Sequence, residues 1–223
     1  MMAHGETLGM LYFDSGGKPI QNENSHVQPS HSEQQLAKTL AEHAALALAN
    51  LNLRETLRIQ SVRDPLTGLY NRRYMEESLE RELRRSMRKK SPLGVMMLDV
   101  DHFKHFNDTF GHEAGDSVLQ TMAKLFRSQL RGEDVVCRYG GEEFTVILPE
   151  ASLEATRQRA EQLREAVKHV VPSFRGESLE AVTLSIGVAS FPENGNTGEA
   201  LLRTADAALY QAKQQGRDRV VVA

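Results

Sequence analysis

The chain has 223 residues, 40% of them apolar and 26% charged, with a net charge of −3. That balance can bury a core and excludes a protein that coats itself with nucleic acid or anionic lipid, although a local phosphate site needs only a few residues. The single cysteine, Cys137, excludes an internal disulfide and a multi-cysteine zinc site and suits a reducing, cytoplasmic setting. Its place in the apolar run "VVC" marks it as a core residue.

The opening "MMAHGETLG" lacks the apolar core of a signal peptide, and the chain has no apolar run of the roughly 18 residues that a membrane span requires. "TLGMLYFD" predicts one strand and "SGGKPIQNENSHVQPS" a loop, so residues 1–31 read as a fragment of a cut domain. From Ser32 to Arg63 there is neither Gly nor Pro, and Leu36, Leu40, Ala44, Ala47 and Leu51 recur at intervals of three and four. That predicts a long amphipathic helix over 32–62, either a coiled-coil seam or a helix packed on its own domain. Pro65 closes it, and residues 63–223 form the second domain. There "RDPLTGLYNRRY" is a turn-rich link and residues 72–90 return to helical chemistry. "SPLGVMMLDVD" is apolar on both faces, hence a central strand. "GDSVLQTMAKLFRSQL" is a helix, "VVCRY-GG-EEFTVIL" a hairpin, and "SLEATRQRAEQLREAVKHV" a helix capped by Ser152. The strand "AVTLSIGVAS", a helix ending at Gly216 and the strand "DRVVVA" complete the chain. This order predicts an α+β fold with an antiparallel-rich central sheet and surrounding helices, which a ferredoxin-like plan places on one side.

Two places carry chemistry. In "LDVDHFK", Asp99 and Asp101 are two apart at a strand end, which points both to one face. In the hairpin, Gly140 and Gly141 permit a tight tip with room for a ligand, and Glu142 and Glu143 follow. If the strand end and the tip are neighbours, three or four carboxylates converge. Hard oxygen donors of that kind suit Mg²⁺ bridged to phosphates. Lys104, Lys213 and Arg217 are placed to offset a triphosphate, although Lys213 and Arg217 also suit a helix C-terminus by charge alone.

"RYGGEEF" resembles the signature of the GGDEF family, the diguanylate cyclases, in its Glu variant. "DPLTGLYNRRY", "LDVDHFKHFNDTFGHEAGD" and "YQAKQQGRDRV" resemble that family's other blocks in the same order, so the likeness covers roughly residues 63–223. It implies a nucleotidyl cyclase palm-like fold and condensation of two GTP to cyclic di-GMP plus two pyrophosphates, between two facing domains. By the same resemblance, Asp99, Glu142 and the carbonyl of Val100 hold two Mg²⁺, with Mn²⁺ as an alternative ion. Glu142 is also the base at the attacking 3′-hydroxyl, and Lys104 stabilises charge on the phosphates. Asn107 and Asp116 read guanine, His112 lines the nucleotide site, and Lys213 and Arg217 clamp the triphosphate. Guanine offers two adjacent N–H donors that one carboxylate accepts, whereas adenine would leave a buried carboxylate unpaired. "SIGVA", residues 185–189, fits the family but reads as core, and His102, where the family often has Phe, predicts altered packing. In "RGED", Arg131 and Asp134 match the family's inhibitory RxxD site for product. The partner arginine from the next helix falls at Gln162, with Arg159 and Arg164 nearby.

"GETLGMLYFD" followed by "AEHAALALANLNL" resembles the last strand and exit helix of a GAF sensory domain. The implied partners are GTP, cyclic di-GMP and a second copy of the chain joined through the 32–62 helix, with no nucleic-acid polymer. The rival reading is a non-catalytic receptor of the same fold that binds cyclic di-GMP or a protein. A palm-type cyclase or polymerase with another product is a further one. The filled catalytic positions argue against the first, and the "GGEEF" hairpin with Asn107 and Asp116 against the second.

Overall fold

The computed structural model describes residues 2–3, 6–7 and 30–223, which fall into two compact units, Met1–Ser61 and Val62–Ala223. The strand expected at "TLGMLYFD" lies, apart from Thr7, outside the described residues, and with it most of the strand half of the GAF resemblance, whose helix half, residues 41–53, falls in the long helix below. In the first unit, β1 (Met2–Ala3) pairs antiparallel with β2 (Glu6–Thr7), and α1 runs from His31 to Val62. The long helix is therefore present. Leu36, Leu40 and Leu51 of the expected seam are exposed, while Ala45, outside that seam, is buried.

The second unit begins with the short strand β3 (Tyr70–Asn71) and α2 (Arg72–Lys89). Asn71 caps α2 by accepting the Tyr74 amide. β4 (Leu93–Val100) is buried along its whole length. It pairs antiparallel with β6 (Glu143–Pro149) on one side and β9 (Leu184–Phe191) on the other, so the strand read as central is central. Between them lie α3 (Phe103–Phe110), α4 (His112–Gln129) and β5 (Val135–Gly140). After β6 come α5 (Leu153–Lys168), the small pair β7 (Ser173–Phe174) and β8 (Glu177–Ser178), then α6 (Gly198–Gln214) after β9, and β10 (Val220–Val222). The main sheet has the order β10-β9-β4-β6-β5-β3, with antiparallel pairs inside and parallel pairs at both edges. Ser152 and Thr197 cap α5 and α6 as N-caps.

The helices cover both faces, which corrects the one-sided placement. Side chains alternate along β4. Met96, Leu98 and Val100 join a core with Phe103, Phe106, Val118, Met122, Phe126 and Leu163, from α3, α4 and α5. Leu93, Val95 and Met97 join a second core with Met75, Leu79, Leu201, Ala205 and Leu209, from α2 and α6. A strand that is apolar at every position requires this cover on both sides. Cys137 lies in the second core. Burial, helped by the negative charges of Asp64 and Glu76, pushes its thiol up to about 12, so it is inert packing as expected.

"SIGVA" is core with a specific task. Ser185, Gly187 and Ala189 share the face that meets α6, where Ala205, Ala208 and Ala212 are buried. A Cβ on Gly187 would run into the Ala205 carbonyl and the Leu209 amide nitrogen, both backbone atoms. The absent side chain is what lets the helix lie this close.

Candidate active site at the end of the central strand

β4 ends where the hairpin β5–β6 turns. In register, Asp99 faces Glu143 of β6 and Ser185 of β9, and the Val100 amide approaches the Glu142 carbonyl at 3.4 Å. The strand end and the hairpin tip are therefore neighbours. Asp99 is only 6% exposed, and its Oδ2 lies 2.7 Å from Nζ of Lys213 on α6. Burial raises its carboxyl to about 6, with the charges of Glu142 and Glu143 adding to the effect and Lys213 opposing it. Lys213, expected to meet a triphosphate, thus stands against the first expected metal ligand.

Asp101 departs from the expectation that it shares the site of Asp99. The chain turns after Val100, and the 5%-exposed Asp101 carboxylate is filled by three donors. These are the Thr183 hydroxyl at 2.7 Å, the Ser185 hydroxyl at 2.7 Å and the Asp218 amide at 3.1 Å. It pins the loop after α6 to the sheet, and Ser185 is one of its anchors. Among the described residues, no group of three or more His, Cys, Asp or Glu side chains is drawn together as a ready metal site. Asp101 is thus taken out of the expected set, which leaves Asp99 with Glu143 directly across and Glu142 at the turn.

The tip is held from a distance. Arg138 Nε donates to the Gly141 carbonyl at 2.9 Å, and its Nη1 pairs with both oxygens of Asp64 at 3.3 and 3.2 Å. Asp64 in turn accepts the Thr67 hydroxyl at 2.6 Å and the Thr67 amide at 2.8 Å. Burial pushes the Asp64 carboxyl up, but the Thr67 donors and Arg138 outweigh it and hold it below the ordinary range. The Arg of "RYGGEEF" and the Asp of "DPLTG" are therefore one brace. Gly141 has φ 43, and a Cβ there would meet nothing within 4 Å, so the tip is open above the glycine. On the Asp99 face a cavity of about 710 Å³ opens between α2 and α6, with Met97, Tyr139 and Glu143 on its wall.

The expected base readers lie on the α3–α4 pair. The Asn107 amide occupies the place where a Cβ on Gly115 would sit, and its Oδ1 is buried without a hydrogen-bond partner. Asp116 follows Gly115 on α4 and is exposed. A buried acceptor without a donor is costly, so this one points to a donor supplied from outside. The helix α3 that carries Asn107 escaped the sequence reading, although Phe103, Phe106 and Phe110 keep helical spacing. Lys104, His112 and Arg217 are exposed, and Arg217 follows the α6 terminus with φ 63. His102, where altered packing is expected, is exposed, with φ 58.

Residues 61–219 match the family model described as "Diguanylate cyclase, GGDEF domain". The chain belongs to the GGDEF domain family. The GGDEF unit is similar to diguanylate cyclase DgcP of Pseudomonas aeruginosa, 48% identical over 169 residues, which are 76% of this chain and 25% of that protein. It is also similar to the response regulator PleD of Caulobacter vibrioides, 44% identical over 174 residues, 76% of this chain and 37% of that protein. The chain therefore spans between a quarter and two fifths of these curated relatives. Among solved structures, it resembles the coiled coil and GGDEF domain of DgcB from Caulobacter crescentus in complex with c-di-GMP. That match has a TM-score of 0.77 and 32% identity, and covers 84% of this chain and 99% of that one. The α+β sheet with surrounding helices, preceded by a long helix, agrees with that GGDEF neighbour. No helix among the described residues is long and apolar enough to cross a membrane.

Proposed function

We propose that this chain is a diguanylate cyclase that condenses two GTP to cyclic di-GMP and two pyrophosphates. The observation that carries this reading is the meeting of the buried Asp99 with the "GGEEF" tip, beside Lys213. Asp99 is buried beside two glutamates with one cation as its partner, and oxygen donors so arranged fit Mg²⁺. Asp99, Glu142 and the Val100 carbonyl would hold it, in two copies per site, and Mn²⁺ suits the same donors. Bound there, the metal supplies charge neutralisation to the phosphates.

The chain's own residues do the rest. Glu142 takes the proton from the attacking 3′-hydroxyl. Lys104, Lys213 and Arg217 offset the charge that builds on the phosphates as pyrophosphate leaves. The unpaired Oδ1 of Asn107 accepts a guanine amino hydrogen, and Asp116 accepts the N1–H and N2–H pair. His112 stands at the start of α4, beside the nucleotide. The direct test is incubation of the purified protein with GTP and Mg²⁺ and a mass measurement of the product. A folded sample that leaves GTP unchanged or forms another product overturns the reading. Asp116→Ala is expected to lower the preference for GTP over ATP by roughly tenfold to a hundredfold, with little change in melting temperature. Competition binding of the two nucleotides measures it, and an unchanged ratio removes Asp116 as the reader.

Each catalytic domain would hold one GTP, so two of them must face each other. The 32–62 segment fits a coil that pairs two copies, because Leu36, Leu40 and Leu51 are 60%, 45% and 61% exposed. The rate per subunit is expected to rise with protein concentration until the dimer is formed. Turnover strictly proportional to protein down to demonstrably monomeric samples rules out a two-domain site.

Product feedback at "RGED" fits the local geometry. Asp134 Oδ2 accepts the Arg131 amide at 2.8 Å, and its own amide donates to the Arg131 carbonyl at 3.1 Å. The turn thus presents an exposed arginine beside a half-buried carboxyl, which burial pushes above its ordinary range. Of the two candidate partner arginines, Arg164 is committed to Asp218 at 2.7 Å and Glu161 at 2.7 Å. Arg159 donates to the Gln129 carbonyl and lies near enough to Asp134 to act on its charge, so it is the better placed. Arg131→Ala is expected to weaken cyclic di-GMP binding at least tenfold in a calorimetric titration. Equal affinity leaves the turn without this role.

A further inference from the structure

A cavity of about 490 Å³ opens beside the "RGED" turn, on the side of residues 63–70. Arg63, Arg127 and Arg131 line it, together with Asp134. Its apolar wall includes Leu69 and Val136. Arg159 of α5 is not part of it. Three arginines and one aspartate line the same space, and the aspartate's carboxylate already accepts the Arg131 amide.

The cations are poorly matched inside the protein. Among the described residues, no carboxylate lies within ion-pair distance of Arg63 or Arg127, and Arg131 reaches only Glu133, at 4.0 Å with both side chains exposed. Arg63 lies over the Tyr70 ring at 3.9 Å and donates to the Gly68 carbonyl at 3.3 Å. Arg127 donates to the Thr67 carbonyl at 3.3 Å. Each guanidinium carries five N–H donors, so most of them remain uncommitted. Holding a turn needs one donor per carbonyl. It does not explain why two positive charges are brought to adjacent carbonyls, where they repel each other, without an acid.

We propose that this cavity is a binding site for a nucleotide phosphate, in which Arg63 and Arg127 take the phosphate oxygens and Arg131 is shared with the feedback turn. The proposal rests on reading Arg131 and Asp134 as the product site and extends that site to a second wall. Arginine forks match phosphate oxygens, and the apolar side accepts a ring or ribose. The volume is within the ordinary range of small-ligand pockets. The consequence is regulatory. Arg63 is the residue after Val62, the end of α1. A ligand held by Arg63, Arg127 and Arg131 would fasten the first turn of the catalytic unit to α4 and the feedback turn.

The test is calorimetric titration of cyclic di-GMP, GTP and pyrophosphate, each separately, into the full chain and its variants. The variants are Arg63→Gln with Arg127→Gln, Arg63→Lys with Arg127→Lys, and Arg131→Ala. Glutamine keeps a donor for the turn carbonyls and removes the charge, while lysine keeps the charge. The glutamine pair is expected to lose at least tenfold in affinity for the probe that binds the full chain, and the lysine pair to retain most of it. Hydrogen exchange in residues 63–70 is expected to slow when that probe is added to the unaltered chain. If Arg131→Ala loses affinity while the glutamine pair stays within about twofold of the unaltered chain, the extended site is overturned and the feedback reading stands. If no probe binds the unaltered chain, or affinity drops in none of the variants, both are overturned. Loss in the glutamine pair alone supports the arginine site and removes Arg131 from it. The three probes separate the cyclic product from a substrate nucleotide and from the free phosphate product.

Discussion

Asp99→Asn is expected to abolish turnover of GTP and, in the metal-free protein, to raise the melting temperature at pH 7.5. The two effects have one cause. The side chain is buried against Glu142 and Glu143, and its carboxyl titrates at about 6 instead of near 3.8. A carboxylate raised in this way binds its proton more tightly in the folded state than in the unfolded one. The fold is therefore favoured by this group at pH below about 4. That advantage is lost as pH rises through about 6, where the group must ionise inside the protein. The difference amounts to about 3 kcal/mol as an upper figure, and the buried amide of Asn offsets part of it. A gain of about 1–3 kcal/mol, or several degrees in a unit of this size, is the expected result. Activity should fall at least ~1000-fold, because the variant removes a charged oxygen donor from the place where a cation is needed. Thermal melting at pH 5 and pH 7.5 with and without Mg²⁺, together with the product assay, checks both parts. A folded variant with near-normal turnover removes Asp99 from the site. A melting temperature that falls at pH 7.5 means that Lys213 does more for Asp99 than burial costs it.

Gly187→Ala is the second large effect, and it acts on packing. The added methyl group would meet the Ala205 carbonyl and the Leu209 amide, and neither can swing away as a side-chain end would. Helix α6 must lift from β9 or the strand must bend. We expect a loss of about 3 kcal/mol or more, seen as a drop of roughly 10 °C in melting temperature. Lys213 is on the same helix and lies 2.7 Å from Asp99, so turnover should fall as well. Gly132→Ala, with nothing within 4 Å of the added atom, is the control and should melt as the unaltered chain does. A Gly187→Ala protein that melts normally shows that α6 is free to shift at no cost.

The sequence by itself determined the elements whose signals are local. The cap at Ser152 states where a helix starts, because a side-chain oxygen three residues before a free amide acts within one turn. The uninterrupted apolar run of β4 requires cover on both faces, which a ferredoxin-like plan with helices on one side does not supply. The order of four blocks, read together, pointed to the GGDEF family that the family model and the relatives show. Only the tertiary structure decided what those residues do to one another. Asp99 and Asp101 look alike two positions apart. One is left beside Glu142, Glu143 and Lys213, while the other is filled by Thr183, Ser185 and the Asp218 amide, from residues more than 80 positions away. Arg138 reads as part of a hairpin motif, yet its charge is used by Asp64, 74 positions earlier. Glu143 gains its place only from the register of β4 on β6. Arg63 is far in sequence from Arg127 and Arg131 until the chain folds all three around one cavity. Local propensity acts over a few residues. Burial, ion pairing and close backbone approach depend on distance in space, which sequence spacing does not contain.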